Sequence, residues 1–411
     1  MQIFREMFQL KLKEKNNAAE TDLALAQLKS ASVSFWLDSS GGPEELCKNS
    51  FYGVNPKYYL YGSLNEVSLY ECENGAVTFA KENCFDFLEE KIKEEKHNPN
   101  GIFAGYFSYD LSDFFFAYFD KTVRCHPEQT AAAPQDGIKN NYPALNSNMT
   151  DSEYLEKVKQ IKEEIKAGNV YQVNLTREYS IKIKNADDLE LYLKLRSVSP
   201  NPYGCYFKTP FVSILSSSPE EFMRIEMQNN ERYIRTRPIK GTLPRNIFEI
   251  DPKNQAENIM IVDLERNDLG RICEYGSVHA EKLLEIESYK HLNHVVSTVG
   301  GKLKPNVKLK EIFEAMFPSG SITGAPKISA MKIIDKIEPS KRGAYTGTFG
   351  YIKTDGTMDF NILIRTIFVQ SGKITFNVGG GIVADSEPEG ELEEIKLKAK
   401  GMLDSLGINS L

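Results

Sequence analysis

Three groups of side chains have types and spacings suited to chemistry. The first is Arg237-Pro238-Ile239-Lys240-Gly241-Thr242, which sets a lysine in a tight, glycine-flanked turn. A desolvated lysine amine is a nucleophile near neutral pH, whereas a solvated one is an ordinary surface cation. Both readings are open for Lys240. The second is Glu257, expected at the start of a helix over Gln255–Leu269. The helix dipole favours a carboxylate there, whether as a helix-starting residue or as a ligand. The third is Glu391, Glu394 and Lys398, which recur at helical spacing. Leu392, Ile395, Ala399, Met402, Leu403 and Leu406 make one apolar stripe of that helix, and the charged line runs beside it. Such a line is either a set of solvated i,i+4 pairs or a source of carboxylates for a cation. Mg2+ takes oxygen ligands and commonly joins one or two carboxylates to an anionic substrate. Glu257 and Glu394 would meet that need if the fold unites them.

Further candidates surround these. Arg365, in Asn361-Ile362-Leu363-Ile364-Arg365-Thr366, falls in a strand of buried character. A cation there needs a carboxylate, from the protein or from a substrate gripped bidentately. His294 reads equally as a satisfied core histidine and as a proton carrier. Gly379-Gly380-Gly381, after a strand, is a flexible turn or a place for backbone N–H groups to approach a ligand. Gly320–Lys327 lacks the spacing of a phosphate-binding loop.

These residues need elements to position them. Thr150 and Glu153 form a capping box, and Tyr154, Val158, Ile161 and Ile165 continue it as a helical stripe ending at Gly168. Val170–Ile183 alternates as a strand. Strand patterns recur at Ser32–Trp36, Val67–Tyr70, Ile102–Phe107, Phe211–Ser217, Glu221–Ile225, Gly347–Lys353, Ile362–Gln370 and Lys373–Val378. A last helix is expected over Pro388–Leu406. Strands and helices come in blocks, so the fold class is α+β with mostly antiparallel sheet. Residues 1–120 form an N-terminal part and 121–150 a loop or mobile linker. Residues 151–411 are the region that carries the chemistry.

Composition narrows the function. With 411 residues, 41% hydrophobic, the chain can bury a large core, and its net charge of -7 argues against nucleic acid or an anionic membrane as partner. No apolar run reaches the ~18 residues of a membrane span, and the polar Met1–Glu20 start does not read as a signal peptide. The six cysteines are scattered, as expected of reduced thiols in a cytoplasmic protein. The histidines lack zinc-type spacing.

Taken together, the motifs RPIKGT, ENIMIVDLERNDLGR, FPSGSITGAPK, NILIRT and GGGIVADSEPEGELEE resemble the chorismate-utilising enzymes over Asp151–Leu406. That family includes the anthranilate, aminodeoxychorismate, isochorismate and salicylate synthases. The resemblance implies one large domain of two packed sheets with helices outside. It implies Mg2+ on Glu257 and Glu394, with Glu391 in support. It implies substrate carboxylates bound by Arg365, Tyr345, Lys398 and backbone at Gly241, Gly379 and Gly380. It also implies Glu220 as general acid on a departing ring hydroxyl, with Thr242 and His294 lining the site. Anthranilate synthases carry alanine where Lys240 stands. Lysine there is similar to the aminodeoxychorismate synthases, in which it adds to the ring before ammonia enters. Water-activating relatives carry lysine where this chain has Gln172, and a glutamine is no base at neutral pH. The resemblance therefore implies amination of chorismate at C4, toward 4-aminobenzoate and folate. None of the cysteines lies in a Gly-x-Cys-x-Gly turn, so ammonia from glutamine implies a separate glutaminase subunit. Anthranilate formation and a non-catalytic scaffold are the alternatives.

Overall fold

The strand Phe114–Phe119 reads Phe-Phe-Phe-Ala-Tyr-Phe, and all six residues are buried. Successive side chains of a strand point to opposite faces, so both faces of this one must be covered. Phe114, Phe116 and Tyr118 join one core with Phe103, Phe107 and Phe360. Phe115, Ala117 and Phe119 join another with Phe35, Phe207 and Phe349. This second core draws on both sheets of the molecule and is the filling between them.

The computed structural model describes residues 21–47, 50–125, 144–183, 186–290 and 292–408. Among them are a ten-stranded and a twelve-stranded sheet, with antiparallel pairing. The helices Asp151–Lys166, Asp188–Val198, Lys327–Ile337 and Pro388–Leu406 cover the outer face of the ten-stranded sheet. Tyr154, Leu195, Ile334 and Ile395 meet there in a third core. The helices Cys84–Glu94, Pro252–Ile272 and Leu309–Met316 cover the other sheet. The result is the expected α+β arrangement of two packed sheets with helices outside. N-terminal strands enter both sheets: Ser34–Asp38 pairs with Tyr203–Lys208, and Ile102–Phe107 with Thr348–Lys353. Of the expected linker over 121–150, residues 126–143 lie outside the described residues, as does the 1–20 start. Short strands, Val123–Cys125 and Asn146–Ser147, stand at the two ends of that gap. No helix among the described residues is long and apolar enough to cross a membrane.

Two passages of chain cross from one sheet to the other, side by side. Ser218-Pro219-Glu220 leads from the strand Ser213–Ser218 of the ten-stranded sheet to Glu221–Gln228 of the twelve-stranded one. Residues 362–365 lead back, from Met358–Asn361 to Thr366–Gln370. The Ile362 N–H donates to the Glu220 carbonyl at 3.1 Å, and the Ser217 N–H to the Arg365 carbonyl at 3.1 Å. The strand expected over Ile362–Gln370 therefore starts only at Thr366. Arg365 turns at φ 51, a left-handed value that ladder pairing does not accommodate.

Candidate active site

Lys240 does not sit in a turn. The segment Ile239–Pro244 is a strand paired to Leu292–Lys302, and the pairing slips between Ile239 and Thr242. This is a bulge, which leaves residues unpaired and re-aims their side chains. Gly241 takes φ +102, and a Cβ there would stand 3.1 Å from Asn254 Oδ1 and Val295 Cγ2. Only glycine suits that conformation at low cost. The Asn258 amide donates to the Lys240 carbonyl at 3.3 Å and to the Val295 carbonyl at 3.3 Å, pinning the bulge to the helix behind it. Burial lowers the Lys240 pKa, with Lys398 adding to the effect, while Glu257, Glu220 and Glu394 oppose it. The amine is thus poised nearer its neutral, nucleophilic form.

Glu220 lies at the first crossing and is buried. Its Oε1 accepts the Ile239 N–H at 3.3 Å. Burial pushes its pKa up to about 7, against stabilising contacts from Ser321, Lys240, Ile239 and Arg365. A carboxyl at that value carries a proton near neutrality and can give it up, as a general acid requires.

Arg365 projects from the second crossing. Among the described residues its guanidinium pairs with no carboxylate and donates to His294 Nε2 at 3.4 Å. Burial lowers its pKa, the mark of a cation that lacks an anion. Because Nε2 accepts this bond, the His294 proton resides on Nδ1, which lies 3.3 Å from Thr242 Oγ1. Burial, then the neighbouring Arg365, drive the His294 pKa well below its ordinary value. These contacts favour the neutral histidine and turn its Nε2 toward Arg365 and its Nδ1 toward Thr242. Tyr345 is buried beside the same crossing, where the Thr346 N–H donates to the Leu363 carbonyl at 2.9 Å.

The glycines Gly379, Gly380 and Gly381 belong to the strand Lys373–Ile382 and pair with Thr176, Leu175 and Asn174. They lie within a strand rather than after one: one edge of this stretch pairs with Asn174–Thr176, while the pairing of the same strand with Thr366–Gln370 ends at Phe376. What their lack of side chains leaves is space. A Cβ on Gly380 would lie 3.2 Å from Glu391 Oε2 and 3.8 Å from Glu394 Oε1. Lys398 donates to the Gly379 carbonyl at 3.0 Å and pairs with Glu394 at 2.7 Å. Glu391 accepts from Ser386 Oγ at 2.6 Å.

Glu257 comes from the other side. Its helix starts at Pro252 behind the cap Asp251, so Glu257 sits in the second turn and the end-of-helix dipole no longer explains it. Lys253, which sequence reasoning passed over, stands 3.9 Å from both Glu257 and Glu391 and links the two helices; its i,i+4 spacing to Glu257 was the available signal. Burial raises the pKa of Glu257, and Glu391 and Glu394 add to the rise. Glu391 is likewise raised, by burial and then by Glu394. Like-charged oxygens thus share a partly dry space. Among the described residues they do not form a ready cage of three metal ligands. As a set of hard oxygen donors with like-charge repulsion to relieve, they suit Mg2+, which keeps waters and needs few protein ligands. Gln172 is fully buried nearby, and neither atom of its amide has a partner.

Comparison with known proteins gives a consistent picture. Residues 120–404 match the family described as chorismate binding enzyme. Anthranilate synthase component 1 of Synechocystis sp. is 40% identical over 288 residues, covering 66% of this chain and 56% of that protein. Aminodeoxychorismate synthase component 1 of Klebsiella aerogenes is 37% identical over 302 residues, covering 71% of this chain and 66% of that protein. The chain thus spans about half to two thirds of the length of these relatives. The crystal structure of anthranilate synthase component I from Streptococcus pneumoniae superposes with a TM-score of 0.70 at 26% identity, covering 86% of this chain and 92% of that one.

Proposed function

Given that this chain belongs to the chorismate-binding enzymes, we propose that it aminates chorismate at C4, giving 4-amino-4-deoxychorismate, with ammonia from a separate glutaminase subunit. The observation that carries this reading is Lys240, a half-buried amine of lowered pKa held on a bulge between Glu220 and Glu257. Arg365, a half-buried cation with no carboxylate partner among the described residues, binds a substrate carboxylate, and His294 and Thr242 fix its direction. Lys240 Nζ adds to the ring. Its lone pair forms a C–N bond, the ring double bond shifts, and the C4–O bond breaks. Glu220 gives its proton to the departing oxygen, which leaves as water. Ammonia then adds at C4, the reverse shift expels lysine as its neutral amine, and the new C4 ammonium returns one proton to the Glu220 carboxylate. The enolpyruvyl side chain stays in place. Gln172 cannot take a proton from water at neutral pH, which disfavours hydroxylated products. Glu257 and Glu394, supported by Glu391, are the residues that would hold Mg2+. When bound there, the ion neutralises anionic substrate oxygens beside these carboxylates.

The test is direct. The purified chain is given chorismate, a magnesium salt and an ammonium salt, and the product is identified by mass and retention. Aminodeoxychorismate is expected, whereas anthranilate or unconsumed chorismate would overturn the reading. Intact-mass analysis during turnover should find a chorismate-derived adduct on the wild type and none on Lys240→Ala. An equal adduct on the variant removes Lys240 as the nucleophile. Residual activity in the variant is compatible with the reading, since positioning and electrostatics also lower the barrier.

A further inference from the structure

Asn258 follows Glu257 on the helix Pro252–Ile272 and is buried, and the reaction above gives it no part. Successive residues of a helix stand about 100° apart, so Glu257 and Asn258 leave the helix in different directions. Glu257 belongs to the carboxylate set, whereas Asn258 meets the bulge that carries Lys240. In that bulge Lys240 and Gly241 together face Val295, two residues against one. Carbonyls that a disrupted ladder leaves aside need another donor when buried. Asn258 supplies two: its Nδ2 donates to the Lys240 carbonyl and to the Val295 carbonyl, each at 3.3 Å.

The acceptor of the same amide is also taken. The Ser297 hydroxyl donates to Asn258 Oδ1 and accepts the Leu284 N–H at 3.0 Å. Turned over, the amide would set its oxygen against two carbonyls, so only one orientation satisfies every partner. Ser297 has no exposed surface, and its N–H donates to the Pro238 carbonyl at 3.2 Å. The carbonyls of Pro238 and Lys240 are therefore held on either side of Ile239, one by Ser297 and the other by Asn258. Between them the Ile239 N–H donates to Glu220 at 3.3 Å. The direction of the Lys240 side chain follows from a backbone fixed at these points.

We propose that Asn258 is the positioning residue of Lys240: it holds the bulge in the shape that presents the amine to the ring, and so decides whether the chain reacts through a lysine adduct. The inference rests on the amination reading, because it takes Lys240 as the nucleophile. The hydrogen bonds of the Asn258 side chain all go to the protein, so it acts through Lys240 and is not itself catalytic. Without its two donors the Lys240 and Val295 carbonyls are left short of partners in a buried place, and the bulge shifts to regain them. An attacking atom displaced by about 1 Å loses much of its advantage. Glu257 leaves the helix elsewhere, so the carboxylate set keeps its place. Loss of Asn258 should therefore harm the nucleophile and spare the magnesium requirement, a division that general damage to the fold would not make.

The experiment uses the full chain with chorismate, a magnesium salt and ammonium chloride. Samples quenched through the first turnover are read by intact mass, which gives the rate at which the chorismate-derived adduct forms. Asn258→Ala should slow adduct formation by about 10²-fold, with KM for chorismate and the magnesium needed for half-maximal rate unchanged. Ser297→Ala keeps both donors but frees the amide to turn, and should slow the adduct by about tenfold. It carries the same test if Asn258→Ala does not fold. On a Lys240→Ala background Asn258→Ala should lower the residual turnover no further, since its effect passes through the lysine. An equal fall on both backgrounds overturns the proposal, and so does a magnesium requirement that moves with the rate, because the damage would then run through Glu257. If the wild type forms the adduct and aminates chorismate, and the folded variants match its adduct rate, the positioning role fails alone. A wild type that forms no adduct overturns the lysine-based amination reading and the positioning role with it.

Discussion

At Lys240 and Glu220 burial acts on two groups of opposite charge and favours the neutral form of both. The amine is wanted without its proton and the carboxyl with one. The two demands overlap in pH only because both pKa values move toward neutrality. Measured at constant free ammonia, the rate should fall as pH rises through about 7, because Glu220 has by then lost its proton. With total ammonium held constant, the growing supply of free ammonia masks that fall. The same shift acts on stability. The Glu220 carboxyl ordinarily titrates near 4.5 and in the fold near 7, so between these values the native state holds a proton that the unfolded chain has lost. Its contribution is complete below the lower value and is lost as pH rises through the upper one, a change on the order of 3 kcal/mol. Glu220→Gln should therefore lose amination yet melt higher than the wild type near pH 8, with the difference closing near pH 4. Melting curves at both pH values decide this; a gap that does not change with pH would remove Glu220 as its source.

The helices set the next scale. Glu257 comes from a helix packed on one sheet, and Glu391 and Glu394 from a helix packed on the other, so the proposed Mg2+ set depends on how two separate helices meet. Glu257→Gln or Glu394→Gln should raise the magnesium needed for half-maximal rate and lower turnover by about 10²-fold or more. The fold should survive, since neither side chain belongs to a hydrophobic core. Unaltered magnesium dependence in both variants would dismiss the assignment. At this scale the sequence was legible in part. The last helix runs over Pro388–Leu406 as its apolar stripe foretold, and Gly407 closes it at φ +71. The capping box at Thr150 and Glu153 is present. The start of the Pro252–Ile272 helix was read three residues late, although Asp251 as cap and Pro252 in the first turn were both available signals. The bulge at Lys240 and the pairing of Gly379–Gly381 escaped because they depend on partner strands. Val295 and His294 decide the first, and Asn174–Thr176 the second. A period of two cannot reveal what lies across the ladder.

The whole molecule adds the question of ammonia. If the two-subunit reading holds, the pure chain should aminate chorismate with ammonium salts, be inactive with glutamine, and regain glutamine use when a glutaminase subunit is added. None of the cysteines Cys84, Cys205 and Cys273 is exposed, and Cys47, Cys72 and Cys125 lack the glycine-flanked turn of a glutaminase nucleophile. Glutamate release by the pure chain supplied with glutamine would refute the reading. The fold class was legible because blocks of strand and helix patterns specify layers. That Glu220, Lys240, Arg365 and Glu394 converge was not, because convergence comes from two chain crossings that no local pattern announces.

Those crossings bear on how the protein is made. Glu220 and Arg365 are fastened together although 145 positions separate them in the chain, and Glu394 and Lys398 come later still. During synthesis the N-terminal strands must wait for partners that have not yet emerged, with their aromatic faces uncovered. Folding dominated by such distant contacts is slow and open to aggregation. The site is thus completed only after Glu394 and Lys398 have left the ribosome, so partial chains that stop short of them should carry the strands without the chemistry.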